Sequence, residues 1–219
     1  MRDFPIFTTD TGISSLVLRE IPYKQIAYIC IRDVQNVGFS DHLQECVGFC
    51  RMAGAERIYA SGHSLLEGYP LADTILQMRG EPVLDPERIR NLFPVTEPTV
   101  SRWRQLYNDS MASVFNSRTL EGRDEKEIIA SSGAYFVHDN GQLLGIGWIG
   151  EDQILAVASA VPGVGGDVMH TLLSLMEGAS VSLEVAASNK RAIRLYEKLG
   201  FLTVGEISRW YDVTKPPSL

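Results

Sequence analysis

Three things are scarce in this 219-residue chain: cysteine, runs of positive charge, and long apolar stretches. The cysteines are Cys30, Cys46 and Cys50. An odd, small set offers no disulfide framework, so a reducing compartment is expected. Cys46 and Cys50 follow His42 at helical spacing, but a tetrahedral zinc site needs four ligands. Both also share an apolar helix face with Leu43 and Val47, so they read as small core residues and no metal is expected. No dense Lys/Arg run occurs and the formal net charge is -7, which argues against nucleic acid as a partner. No apolar stretch approaches the ~20 residues needed to cross a bilayer. Met1-Arg2-Asp3-Phe4-Pro5 lacks the basic-then-apolar pattern of a signal peptide. The expectation is a cytoplasmic protein with no membrane partner.

What is present is enough apolar material for a core: 45% hydrophobic against 21% charged residues. Ser14 to Asp33 reads as two strands around a turn at Ile21-Pro22-Tyr23-Lys24, and a helix runs from Ser40 or Asp41 to Gly54. Arg57–Ser61 and Asp73–Met78 read as further strands. Between Gly80 and Pro98 the four prolines Pro82, Pro86, Pro94 and Pro98 mark a linker. The expected division is a smaller α/β module over residues 1–92 and a second domain over 93–219.

The second domain opens with helices at Val100–Val114 and Arg123–Ala130. Ala134–Val137, the turn Asp139-Asn140-Gly141 and Leu143–Ile149 form a hairpin. A strand at Ile154–Val161, a helix at Gly166–Met176, a strand at Val181–Val185, a helix at Asn189–Leu199 and a strand at Arg209–Val213 complete it. This is a mixed, partly antiparallel α/β sheet flanked by helices. The amino-terminal order of strand, helix and strand faintly echoes it.

Two segments carry chemistry. In the first, Val181-Ser182-Leu183-Glu184-Val185 leads to Asn189, Ala192, Leu195-Tyr196-Glu197-Lys198 and Gly200-Phe201. Asn189 stands at a strand-to-helix junction, where its side chain can cap the helix or bond a ligand amide. In the second, Ser159-Ala160-Val161-Pro162-Gly163-Val164-Gly165-Gly166-Asp167-Val168 joins a strand to a helix. A glycine-rich turn there can aim backbone N–H groups at phosphate, and the helix start adds positive potential.

Together these residues resemble the signature of the GNAT superfamily of N-acetyltransferases. The resemblance covers roughly the last 125 residues and implies a GNAT-like fold there; the echo in element order alone suggests the amino-terminal module as a degenerate half of the same kind. It implies acetyl-CoA as cosubstrate and an amine as acceptor, with a homodimer left open. The pyrophosphate loop then falls on Ser159, Ala160, Val161, Gly163, Gly165, Gly166, Asp167 and Val168, with Asn189 also at the cofactor. Backbone N–H groups near Ser159–Val161 are the candidate oxyanion donors. The resemblance gives Tyr196 the role of general acid at the CoA sulfur.

The chain also departs from the family pattern. No arginine or glutamine precedes the glycines, the loop is about one residue short, and Asp167 would repel phosphate if it pointed inward. The strand Ile154–Val161 lacks the glutamate often found there, which leaves Glu184 as the nearest candidate base. Its alternatives are a solvated strand residue or a partner of Arg191, and Glu151 and Asp152 are distant substitutes. Two other functions stay open: a CoA-binding protein that has lost turnover, and an interaction protein that keeps the fold. His170 reads as a plain helix residue, Trp103 and Tyr107 as core or acceptor-pocket wall, and Arg88 and Arg90 as a solvated face. Ser61-Gly62-His63-Ser64 lacks a nucleophile elbow.

Overall fold

The computed structural model describes residues 5–176 and 180–217. Its strands are β1 (Ile6–Thr8), β2 (Gly12–Val17), β3 (Ile26–Val34), β4 (Arg57–Ser61), β5 (Leu71–Gly80), β6 (Asn91–Pro94), β7 (Ala134–Asp139), β8 (Gln142–Ile149), β9 (Gln153–Ser159), β10 (Val181–Ala186) and β11 (Phe201–Asp212). Its helices are α1 (Ile21–Lys24), α2 (Phe39–Met52), α3 (Val100–Met111), α4 (Glu125–Ala130), α5 (Gly165–Leu173) and α6 (Lys190–Lys198). The chain divides into two compact units, Met1–Ile75 with Glu206–Leu219, and Leu76–Gly205. The division falls inside β5 and β11.

In the first unit β1, β2 and β3 are antiparallel neighbours, and β3 runs parallel to β4 through the crossover α2. The β-branched run of β3 suits a strand buried on both faces, and Ala27 and Ile29 are wholly buried. Leu43, Cys46 and Cys50 recur along α2 and pack with Leu16, Ile29 and Ile58 in one core. Each such aliphatic side chain contributes about 1.5–3 kcal/mol by leaving water. Pro22 falls in the first turn of α1, so the expected turn closes into a helical one. His42 is fully buried, and its ring nitrogens are satisfied by Thr9 Oγ1 at 2.8 Å and Ser14 Oγ at 2.7 Å. The carboxy-terminal end of β11 pairs antiparallel with β4, Tyr211 against Ala60.

In the second unit β6, β7, β8 and β9 form an antiparallel meander, and β9 runs parallel to β10 through α5. The segment expected as a linker is built into this unit. Leu92 and Phe93 of β6 pair with Val137 and Phe136 of β7, and Pro94 sits at the end of this edge strand, where a missing N–H costs little. Gly147 lets α5 lie close on β8, since a Cβ there would stand 2.3 Å from Leu172 Cδ1. Trp103 is fully buried, donates its indole N–H to Tyr135 O at 3.0 Å and stacks on Tyr107. The aromatic run is therefore core.

The two units repeat one motif. In each, an antiparallel pair (β2–β3, β8–β9) leads through a helix (α2, α5) to a parallel strand (β4, β10). After β4, His63 Nδ1 accepts from Leu65 N at the start of a 3-10 turn, as Asn189 Oδ1 accepts from Ala192 N at the start of α6.

Candidate functional site

The site grows from a break in the ladder between β9 and β10. These strands pair only at Ser182 with Gln153 and Leu183 with Ile154. Beyond that, Leu155–Ser159 has no β10 partner among the described residues, while β9 stays paired with β8 as far as Ser159. Glu184 is the first β10 residue past the last pair, and it is exposed between buried Leu183 and Val185. Among the described residues it has no ion pair, so the alternative pairing with Arg191 is absent. Ala160 N donates to Leu144 O at 2.7 Å, so that N–H is already engaged.

At the end of β9 the chain turns through Gly163, whose φ of 89° lies in the left-handed region. Val164 precedes α5, with no side chain capping the helix start. The first-turn N–H groups of α5 therefore point outward with their partial positive charge. Asp167 is turned sideways, taking Arg88 Nε at 2.8 Å on one oxygen and an Arg90 terminal nitrogen at 2.9 Å on the other. Arg88 and Arg90 are thus held against α5 rather than solvated on a helix face. A Cβ on Gly166 would lie 2.4–2.9 Å from the guanidinium of Arg88, so glycine is required for the arginine to rest there.

The backbone of this segment is fastened as well. Asp85 N donates to His170 Nδ1 at 3.3 Å, and Arg90 N donates to Thr171 Oγ1 at 2.9 Å. Burial, reinforced by the charge of Arg88, lowers the pKa of His170 below the usual histidine value. The neutral ring keeps Nδ1 as an acceptor.

A cavity of about 500 Å³ opens beside this helix start. Gly163, Gly166 and His170 line it from the loop and α5, and Leu195, Lys198, Leu199 and Gly200 from α6 and its end. Glu81, Val83 and Arg88 complete the wall. Of the loop residues expected from sequence, only Gly163 and Gly166 line the cavity. Ser159, Ala160, Val161, Gly165, Asp167 and Val168 are not part of its lining, and Val168 is buried in the core.

Asn189 caps α6, its Oδ1 3.2 Å from Ala192 N. Tyr196 is buried beside Phe201, with ring centroids 6.1 Å apart, and is not on the cavity wall. Burial pushes its phenol up to about 12. Among the described residues its hydroxyl has no hydrogen-bond partner. The cysteines of α2 belong to the core of the first unit, where burial raises Cys46 to about 11 and Cys50 to about 12. Among the described residues, no group of three or more His, Cys, Asp or Glu residues could hold a metal ion.

Sequence reasoning missed Arg88, His170 and Lys198 as cavity residues. For Arg88 the available signal was the cluster of charge between prolines, which reads equally well as a solvated linker; His170 and Lys198 lie outside it, on α5 and α6.

Comparison with known proteins follows the same line. The model of the acetyltransferase (GNAT) family matches residues 92–201. No protein of curated function matches the chain. Among solved structures, a GCN5-related N-acetyltransferase from Kribbella flavida superposes with TM-score 0.59 at 13% identity, covering 96% of this chain and 90% of that one. One from Sphaerobacter thermophilus gives 0.58 at 13% identity, covering 95% and 79%. A tandem GNAT protein from the clavulanic acid biosynthesis pathway gives 0.52 at 12% identity, covering 99% and 85%. These likenesses show the fold.

Proposed function

Since the chain belongs to the acetyltransferase (GNAT) family, we propose that it transfers an acetyl group from acetyl-CoA to a primary amine of a small molecule or protein. The observation that carries this reading is the parting of β9 from β10 next to a glycine turn and an uncapped helix start. An extended acyl-pantetheine arm can add itself to the free edge of β9, while its diphosphate meets the outward N–H groups of α5. The adenosine end then has the cavity beside α6 to fill, whose volume falls in the usual range for small-molecule sites.

In this proposal the domain expected over residues 93–219 carries the reaction, joined by the preceding segment from Leu76 that belongs to the same unit. The amino-terminal module is a degenerate copy of the same fold, and the setting is the cytoplasm. The free amine attacks the thioester carbonyl, the C–S bond breaks and the thiolate leaves. Tyr196, protonated at neutral pH, donates a hydrogen bond to the departing sulfur. Glu184, exposed where the strands part, accepts the surplus proton of the amine directly or through water.

The absence of an acid on β9 favours a second reading, a CoA-binding protein without turnover. Acceptor-dependent thiol release separates the two. Purified protein with acetyl-CoA is assayed against a panel of primary amines with a thiol reagent. Turnover is supported by release that requires both amine and Tyr196. Binding without release across the panel would leave only the second reading.

A further inference from the structure

The loop lacks the arginine or glutamine expected ahead of its glycines, and the structure brings a cation to the same place from elsewhere in the chain. We infer that Arg88, anchored through Nε by Asp167, is the residue that grips the diphosphate of acetyl-CoA. This rests on the acyl-CoA reading above and names the charge that the reading leaves unassigned.

The geometry is specific. The side chain of Arg88 is 41% exposed, and its terminal NH1 and NH2 groups lie over Gly166 at the first turn of α5. A guanidinium offers five N–H donors in a rigid fork. One is taken by Asp167 at 2.8 Å, and among the described residues the terminal groups have no other partner. They face the cavity together with Gly163 and Gly166. An arginine fixed at one edge and open at the other is suited to a bidentate grip on phosphate oxygens.

Asp167 is then a positioning residue. Its carboxylate is shared by Arg88 and Arg90, and Arg90 Nε also meets Asp139 at 3.7 Å, so the ion-paired cluster is neutral as a whole and the open edge of Arg88 is its positive pole beside the helix start. The other charged groups nearby are Lys198 and Glu81 on the cavity wall and Asp85 at the start of the segment. His170 adds no charge at neutral pH, because burial and Arg88 both disfavour its protonated form.

The anchoring explains how so distant a residue reaches the loop. Bonds from Asp85 N to His170, from Arg90 N to Thr171 and from Arg90 to Asp167 bracket Arg88 on both sides. The guanidinium is thereby held in place before ligand arrives, which lowers the ordering cost of binding.

The test is calorimetric titration of wild type, Arg88→Met and Arg88→Lys with acetyl-CoA, with inorganic pyrophosphate as competitor and thermal melts as the folding control. Arg88→Met should melt within a few degrees of wild type, bind acetyl-CoA about 10–100-fold more weakly, and lose sensitivity to pyrophosphate. Arg88→Lys should recover part of the affinity as a point charge. Wild-type affinity in folded Arg88→Met would overturn the role of Arg88 and leave the acyl-CoA reading intact. No binding of acetyl-CoA by wild type would overturn both.

Discussion

Replacing Tyr196 by phenylalanine tests the chemistry most sharply, and the size of the effect follows from burial. The phenol is pushed up to about 12 by desolvation, so at pH 8 only ~10⁻⁴ of it is ionised. An alkyl thiol leaves with a pKa of about 8.5. Handing the phenolic proton fully to the thiolate would then run uphill by about 3.5 units, roughly 5 kcal/mol. Tyr196 therefore acts by donating a hydrogen bond to a sulfur that is gaining charge. Such a bond to a charged partner contributes about 1.5–3 kcal/mol. Tyr196→Phe should accordingly lower kcat ~10–150-fold, with KM for acetyl-CoA little changed, because the bond strengthens only as the thiolate develops. The fold should not suffer, since the hydroxyl makes no hydrogen bond among the described residues and the ring contact with Phe201 is kept. The assay is steady-state thiol release with a melt of each variant. An unchanged kcat would refute the role, and a loss above ~10⁴-fold would refute the hydrogen-bond-only mechanism.

Other perturbations bear on the scaffold. Leu172→Ala should cost about 2–5 kcal/mol in urea unfolding, because the side chain is fully buried over Gly147; a loss under ~1 kcal/mol would contradict that packing. Asn189→Ala removes the cap on Ala192 N and should cost about 1 kcal/mol, with Asn189→Asp restoring it. His42 and His170 both have lowered pKa values, mainly from burial. Their neutral forms favour the fold fully above the unfolded histidine value of about 6.5, and that stability is lost as pH falls through it toward the lowered folded values. The melting temperature should fall between pH 7.5 and 5.5, and fall less in His170→Asn; no difference between the two pH values would contradict it.

The sequence announced what is local. Asp139-Asn140-Gly141 forecast a hairpin, and Asn140 and Gly141 take the positive φ angles of 48° and 80° that a tight turn demands. Asn189 and the apolar spacing after it forecast α6 and its cap. The residues of β6 and the Arg88 strap were hidden because proline and charge dominate the segment, and the contacts that fix it reach residues 77–85 positions away. β11 was only partly visible, since Leu202, Val204 and Ile207 are exposed and give no alternation of burial. Its end pairs with β4 across most of the chain, and no local pattern reports such a partner. Within the site, glycine and asparagine positions were legible, whereas the charge over the loop was not.

The measurement that bears most directly on the central claim is a calorimetric titration of the purified wild-type protein with acetyl-CoA. One acetyl-CoA per chain with micromolar affinity, weakened by pyrophosphate, is the result expected of a glycine turn and helix start built for a diphosphate. No detectable heat of binding would contradict the acyl-CoA site and with it the proposed transfer.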